Sequence, residues 1–157
     1  MYGNTALIGA RLDDDNGVGG YKSVYVFNSV DAPVSVCAGW CKASLFSPNG
    51  KYEARTQPDG NFVVSEGETK AVLWSSGSYL MGFGPYALRM QTDGNLVLCD
   101  TYETGTWSTG TQGLGSGPYA LVMQADCNLV IYCNYDVLGA GAPIWSRICG
   151  TESSIRC

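Results

Sequence analysis

The pattern Gln-x-Asp-x-Asn-x-Val occurs three times in this chain and constrains its fold more than any other feature. The copies begin at Gln57, Gln91 and Gln124, which are 34 and 33 residues apart. A fixed period of this length indicates that one supersecondary unit is repeated. Core packing does not explain polar side chains at every second position, so we expect the repeat to carry function as well as fold.

Aromatic residues repeat together with the motif. A tyrosine preceded by a turn lies five residues before each glutamine, and a Trp-Ser pair closes each unit. The tyrosines are Tyr52, Tyr86 and Tyr119, and the tryptophans are Trp74, Trp107 and Trp145. Because their spacing is nearly equal, we expect the tryptophans to be core or axis residues, and we expect the tyrosines to be structural.

Four short strands are predicted in each unit: a lead strand, the Tyr-to-Gln strand, the motif strand and the strand that ends in Trp-Ser. The units cover about 45–78, 79–111 and 112–148. With 21 glycines, 10 tyrosines and only 15% charged residues, the composition favours short strands joined by tight turns. No stretch has sustained helical periodicity, so the chain is predicted to be all-β.

Residues 1–44 lie outside the repeat and are predicted to form an N-terminal β extension. Strands are expected at Thr5–Leu12 and Tyr21–Phe27, followed by an apolar run at Pro33–Cys37. The role of this extension is open between covering a sheet edge and mediating assembly. The repeat-containing domain is placed at 45–157, and its last nine residues are too polar to form a core strand unaided.

Charge and cysteine content limit the possible partners and cofactors. A net charge of -5 without a basic cluster argues against nucleic acid, and no apolar run is long enough for membrane insertion. Seven cysteines favour a secreted, disulfide-bearing protein, although several reduced, buried cysteines are the alternative. No signal peptide is visible at the N-terminus. With no histidine and a single close pair, Cys37 and Cys41, neither a metal site nor a cofactor is expected.

The motif itself is the candidate site. On a strand, alternate side chains share a face, so five alternate residues of the third motif are predicted to face outward. At the usual rise per residue, Gln124 and Asn128 would be about 13 Å apart. The five residues are Gln124, Asp126, Asn128, Val130 and Tyr132. Their amides, carboxylate and phenol alternate donors and acceptors around one apolar spot, which suits the hydroxyls and ring carbons of a sugar. In the first two copies, Asp-Gly-Asn is equally typical of a simple turn.

The extended pattern Gln-x-Asp-x-Asn-x-Val-x-Tyr resembles the signature of the bulb-type, mannose-binding lectins named after the snowdrop agglutinin. The resemblance covers about Leu45 to Trp145. It implies a β-prism II fold, in which three four-stranded antiparallel sheets surround a pseudo-threefold axis lined by the tryptophans. It also implies one sugar site per sheet, where Gln124, Asp126 and Asn128 bond mannose hydroxyls, Val130 touches the ring and Tyr132 caps the site.

The three copies match this signature unequally. The corresponding residues of the other copies are Gln91, Asp93, Asn95 and Val97 in the second, and Gln57, Asp59, Asn61 and Val63 in the first. The tyrosine position holds Cys99 in the second copy and Ser65 in the first. Loss of the phenol removes a hydrogen bond worth about 0.5–1.5 kcal/mol, so we rank the sites third, second, first. Cys99 is expected on the solvent face.

The family resemblance also implies a disulfide from Cys127 to a cysteine that follows the tryptophan of its unit. Cys149 and Cys157 are both candidates. Cys157 is nearer to the family position, which leaves Cys149 to pair with Cys133, and Cys37 and Cys41 to close a small loop.

The leading hypothesis is a lectin that binds mannose or mannose-containing glycans, and the resemblance implies a role in defence or recognition. The alternative is a structural or interaction protein on the same fold, with degenerate sites and disulfide-linked assembly. A dimer or larger homo-oligomer is expected in either case. An enzyme is not expected, because the sequence offers no histidine base and no convincing nucleophile–base pair.

Overall fold

The chain folds as a set of antiparallel sheets. The computed structural model describes residues 44–136 and 139–149 with their side chains, together with the backbone of strands at 24–27, 34–36 and 154–155. In chain order the strands are β1 (Val24–Phe27), β2 (Val34–Val36), β3 (Ser44–Phe46), β4 (Tyr52–Thr56), β5 (Phe62–Glu66), β6 (Val72–Ser75), β7 (Ala87–Met90), β8 (Leu96–Cys99), β9 (Gly105–Ser108), β10 (Tyr119–Met123), β11 (Asn128–Cys133), β12 (Ala142–Ile148) and β13 (Ser154–Ile155). No helix occurs among these residues, and so none that could cross a membrane. The all-β, three-sheet prediction is confirmed.

The first unit forms the four-stranded sheet that its sequence predicts. Its strands lie in the order β3-β4-β5-β6, and each pairs with its neighbour in the chain. The motif strand β5 therefore lies between the Tyr-to-Gln strand β4 and the strand β6 that ends in Trp-Ser. The same three-strand core, β7-β8-β9 and β10-β11-β12, recurs in the second and third sheets.

The lead strands predicted for the second and third units do not form. Residues 79–86 contain Gly82, Gly84 and Pro85 and adopt turns, with positive φ angles at Leu80 and Gly82. These turns cannot supply a regular ladder of hydrogen bonds at the sheet edge.

The N-terminal segment supplies the missing edges. Strand β2 pairs with β7, and β1 pairs with β10, where Val24 lies opposite Val122. Strand β13 extends the third sheet to five strands by pairing with β12. Residues 1–44 therefore contribute two edge strands, while the domain division at residue 44 stays a prediction. The strand expected at Thr5–Leu12 lies outside the described residues.

The three tryptophans meet at the centre, as the equal spacing predicts. The ring centroids of Trp74 and Trp107 are 5.9 Å apart, and each lies 6.2 Å from Trp145. All three contacts are edge-to-face, a geometry worth about 0.5–1.5 kcal/mol per pair beyond area burial. The guanidinium of Arg147 lies over two of these rings, 5.9 Å from the centroids of Trp74 and Trp145.

The repeated tyrosines join neighbouring units, which confirms a structural role for two of them. The ring of Tyr86 packs on Gly60, where an added Cβ would lie 2.5 Å from a ring carbon. In the same way, Tyr119 packs on Gly94, with a corresponding distance of 2.7 Å. Each tyrosine thus covers the motif turn of the preceding unit, so a side chain on either glycine would push the units apart.

Candidate functional site

Each motif begins in a tight turn, and its strand begins at the asparagine in the third copy and one residue after it in the first two. In the third copy the Gln124 amide donates to the Asn128 carbonyl at 2.9 Å, and the Cys127 amide donates to the Gln124 carbonyl at 3.3 Å. The first two copies have the same pair of hydrogen bonds. The residue before each asparagine is left-handed, with φ of 82° at Gly60, 87° at Gly94 and 71° at Cys127. This is the three-residue hairpin loop that ends in a residue of left-handed conformation.

The prediction that one strand face runs from Gln124 to Tyr132 is therefore wrong in its first half. The 13 Å separation fails because Gln124 and Asn128 face each other across the turn. Strict alternation holds only along β11, where Asn128, Val130 and Tyr132 share one face.

Each motif aspartate shapes its turn with one carboxylate oxygen. Oδ1 accepts the amide hydrogen two residues later, at 3.0 Å in the first two copies and 3.1 Å in the third. A carboxylate has two oxygens with four lone-pair sites, so this bond leaves acceptor capacity for a ligand. The turn hypothesis and the sugar hypothesis are thus compatible at Asp59, Asp93 and Asp126.

The three motif asparagines differ in their partners. Asn95 Oδ1 accepts from the Thr109 hydroxyl at 3.2 Å and from the Gly110 amide at 3.0 Å, and Asn61 Oδ1 accepts from the Ser76 hydroxyl at 3.1 Å. In contrast, Asn128 Oδ1 is buried and has no hydrogen-bond partner among the described residues. The third unit has Arg147 at the position of the hydroxyl residue, two residues after its tryptophan.

A second contact holds each motif turn against the Trp-Ser strand. The Ser78 hydroxyl donates to the Gly60 carbonyl, and the Thr111 hydroxyl donates to the Gly94 carbonyl, both at 2.7 Å. In the third unit a disulfide joins Cys127 to the residue in the same register, four positions after the tryptophan. The two Cα atoms of this Cys127–Cys149 bridge are 5.6 Å apart.

This register corrects the expected cysteine pairing. Cys149 bonds to Cys127, so the preference for Cys157 and the pairing of Cys149 with Cys133 are both wrong. Cys133 and Cys99 are free and buried, which also overturns the solvent-facing position expected for Cys99. Burial raises the pKa of the Cys99 thiol, Arg89 partly opposes the shift, and Asp100 adds to it. The remaining cysteine predictions, at Cys37, Cys41 and Cys157, lie outside the described residues.

We call the motif face of each sheet, with its turn, the first, second or third groove. The third groove brings together an intact and uncharged set of side chains on β11. Tyr132 is half-buried and its hydroxyl accepts a 2.7 Å hydrogen bond from Gln124 Nε2. Asn128 is half-buried, Val130 is buried, and Asp126 is exposed on the turn.

Neighbouring side chains complete the third groove. On β10, Ala120 lies opposite Tyr132 and Val122 lies opposite Val130, so the adjacent strand adds no charge. The Tyr135 ring packs against Tyr132 at 5.7 Å between centroids. Burial, followed by the nearby Tyr132 and Asp136, raises the pKa of Tyr135, so this phenol stays protonated at neutral pH.

The second groove carries an ion pair instead of a phenol. Val97 and Cys99 are buried on β8, and Arg89 lies opposite Val97 on β7. The Arg89 guanidinium bonds the Glu103 carboxylate, with 2.7 Å between Nη2 and Oε1. Gln91 and Asp93 are exposed on the turn.

The first groove is also charged, with opposite polarity. Glu53 lies opposite the buried Ser65 and accepts from Lys70 Nζ at 2.9 Å and from the Ser44 hydroxyl at 2.5 Å. Burial acts to raise the pKa of Glu53, but hydrogen bonds from Ser44 and Lys70, with the charges of Lys70 and Arg55, outweigh it. The pKa therefore lies below its ordinary value. Arg55 lies opposite the buried Val63, while Gln57 and Asp59 are half-buried.

The fold is shared with known lectins. The chain is 31% identical to a structure described as Japanese Marasmius oreades lectin, over 80% of this chain and 90% of that one, with a TM-score of 0.57. It is also 31% identical to monomeric monocot mannose-binding lectins from Gastrodia elata, over 69% of this chain and 88% of that one (TM-score 0.56). The chain belongs to the bulb-type mannose-binding lectin family. A lectin from Allium sativum is 28% identical over 79% of this chain and 98% of its own (TM-score 0.55).

The sequence alone gave no match to a family model or to a curated protein. In this chain, the grooves also differ at the positions four and two residues before each motif glutamine. They hold Glu53 and Arg55, Ala87 and Arg89, and Ala120 and Val122. Sequence reasoning missed them, although the hairpin register places them directly opposite the tyrosine and valine positions. These two positions hold two charged residues in the first groove, one in the second and none in the third.

Proposed function

We propose that this chain is a carbohydrate-binding lectin whose third groove takes mannose, either free or at the end of a glycan. The observation that carries the proposal is the unpartnered, buried Asn128 Oδ1 within the one complete motif. A buried carbonyl without a hydrogen bond costs about 1–3 kcal/mol, and a sugar hydroxyl is a donor that relieves this cost. The Gln124–Tyr132 hydrogen bond holds a further amide and a phenol beside it.

Two further points support the choice of ligand. The third groove is lined by Ala120, Val122 and Val130, so a neutral ring finds apolar surface and no competing charge. A family member, the lectin of Gastrodia elata, is described as mannose-binding. Because a shallow groove with a few hydrogen bonds gives an affinity of about 1 mM, useful binding requires several sites, and we propose that the protein acts as a homodimer or larger oligomer.

The Cys127–Cys149 bridge supports a further proposal, that the protein works in an oxidising compartment such as the extracellular space. A role in defence or in recognition of surface glycans fits that location. Both proposals depend on sugar binding by the third groove.

A titration with two epimers tests the function. Methyl α-D-mannoside should bind saturably, and methyl α-D-glucoside, which differs only at the 2-hydroxyl, should bind more weakly. Tyr132→Phe should weaken mannoside binding by up to about tenfold because only the phenol hydroxyl is lost. Tyr79→Phe, which removes a phenol hydroxyl from the exposed loop between β6 and β7, is the matched control and should bind as the parent does. No saturable binding by the parent would refute the proposal.

A second candidate function has its own observation. Five large apolar side chains are at least half exposed in and beside the loop between β6 and β7: Tyr79 59%, Leu80 66%, Met81 50%, Phe83 68% and Tyr102 71%. Exposed apolar surface of this kind is common where proteins interact. If mannoside does not bind but the chain self-associates and Phe83→Ser abolishes the association, the interaction function is the better description.

A further inference from the structure

An ion pair crosses the motif strand of the first unit. Lys70 lies in the turn between β5 and β6, and its partner Glu53 lies on β4, with 2.9 Å between Nζ and Oε2. Since β5 lies between β4 and the turn that carries Lys70, the pair spans the end of β5. Glu53 is directly opposite Ser65, so its carboxylate lies beside that residue.

The second unit has a corresponding ion pair of reversed polarity. Glu103 lies in the turn between β8 and β9, and Arg89 lies on β7, so this pair crosses β8. Glu103 follows Lys70 by one repeat, and both residues are left-handed, with φ of 62° and 60°. Arg89 lies opposite Val97, while Glu103 lies beyond Cys99 at the end of β8, so the pair extends along the strand between those two positions.

The first pair lies beside the position that holds the tyrosine in the third unit, and the second pair extends up to that position. Ser65 and Cys99 occupy the register of Tyr132, and they are only 1% and 7% exposed. Ser65 Oγ is buried and has no hydrogen-bond partner in the described part of the chain. This end of the first groove is therefore closed to solvent, although its hydroxyl forms no hydrogen bond within that part of the chain. Tyr132, with Ala120 opposite, remains half exposed.

We propose that these two ion pairs, Glu53–Lys70 and Arg89–Glu103, close the first and second grooves to neutral sugars. We call them the clasps. The clasps determine which groove binds sugar, so that each chain offers one open groove, the third. The loss of the motif tyrosine explains only part of the closure of the other two grooves. The proposal rests on the function proposed above. Glu53 and Arg89 are only 5% and 19% exposed, whereas their partners Lys70 and Glu103 are 53% and 62% exposed. A sugar that displaced either outer partner would leave a largely buried charge unpaired, and this cost opposes the modest gain of a ligand that binds at about 1 mM.

The first experiment follows backbone amides by NMR in the full chain during titration with methyl α-D-mannoside. In the parent, we expect shifts in residues 124–132 and none in 57–65 or 91–99. The variant Cys99→Tyr/Arg89→Val/Glu103→Ala copies the third groove onto the second and removes its clasp. The amide shifts of its residues 91–99 should report a mannoside dissociation constant at least about tenfold lower than any measured at these residues in the parent. Cys99→Tyr alone is the matched control and should remain silent, because the clasp is still present.

The second experiment tests, without any sugar, whether the Arg89–Glu103 clasp covers Cys99. Iodoacetamide labelling of Cys99, mapped by mass spectrometry, should be about tenfold or more faster in Arg89→Val/Glu103→Ala than in the parent, with buried Cys133 as internal control. Removing the Arg89 charge disfavours the thiolate, so electrostatics cannot cause this increase. This variant keeps Cys99 and makes no new core contact, which allows a result even if the triple variant does not fold.

The outcomes separate the two proposals. No shifts at 124–132 in the parent refute the proposed function, and the labelling rate still tests the clasp. Mannoside shifts of 91–99 in the parent, opening by Cys99→Tyr alone, a folded but silent triple variant, or an unchanged labelling rate would each overturn the clasp.

Discussion

The asparagines of the three motifs should separate stability from binding when each is changed to alanine. Asn95 Oδ1 accepts from the Thr109 hydroxyl and from the amides of Gly110 and Thr111, at 3.0–3.3 Å. Asn95→Ala leaves these donors without their acceptor, and Thr109 is buried, so we expect a loss of about 1–3 kcal/mol in the free energy of unfolding. Asn61 accepts from one hydroxyl, that of Ser76, and should cost less.

Asn128→Ala should behave differently, because its carbonyl has no partner to lose among the described residues. We expect a loss of no more than about 0.5 kcal/mol, because the change removes a buried acceptor that has no partner in the sugar-free protein. Mannoside binding should nevertheless weaken by about 0.5–1.5 kcal/mol, which is up to roughly tenfold. The three variants should therefore rank Asn95, Asn61, Asn128 in lost stability and in the reverse order in lost binding.

Urea denaturation gives the ranking of lost stability, provided that the slope of the unfolding free energy against urea concentration is the same in all variants. Calorimetry or ligand-observed NMR with methyl α-D-mannoside gives the second. If Asn128→Ala destabilises the protein as much as Asn95→Ala, its amide has a structural partner and the assignment of an available acceptor is wrong. Equal losses of binding in all three variants would contradict the ranking of the grooves.

Three further changes test the fold. Trp107→Ala should destabilise the domain by about 3 kcal/mol in a thermal or urea melt, because the ring contacts both other central tryptophans; a loss below 1 kcal/mol would contradict that position. Cys127→Gly/Cys149→Ser copies the turn and hydroxyl of the other units, so it should retain more stability than Cys127→Ala/Cys149→Ala, whose alanine is strained at positive φ. The folded-state pKa of Glu53 is depressed, so its stabilising contribution is present above the ordinary pKa of 4.5 and lost as pH falls through the folded value. The parent should therefore lose stability more steeply than Glu53→Gln below about pH 5, and parallel curves would exclude this linkage.

Much of the architecture follows from the spacing of a few residues. The period of the motif predicts three like sheets, and the equal spacing of Trp74, Trp107 and Trp145 places them at the centre. The position of the edge strands does not follow, because pairing of β1 with β10 and of β2 with β7 depends on contacts between distant segments. Local sequence indicates only that Gly82, Gly84 and Pro85 disfavour a strand where one was expected.

The candidate site, too, can be predicted from local sequence only in part. The pattern selects the motif residues, but strand alternation does not extend to Gln124 and Asp126, because these two residues lie in a turn. Cys127 concealed that turn in the third copy, because a non-glycine residue with φ of 71° is uncommon. The cross-strand partners Glu53 and Arg89 become meaningful only once the hairpin register is known.

The pairing of β1 with β10 has a consequence for how the chain acquires its structure. Because Val24 pairs with Val122, the third sheet cannot be completed during synthesis until the β10 segment has left the ribosome. The first sheet, built from neighbours in sequence, can form much earlier. Contacts between distant segments slow folding, because the entropy of closing a long loop is lost before the contact is gained. Folding is therefore expected to begin with the first sheet, and the third sheet is expected to be completed later.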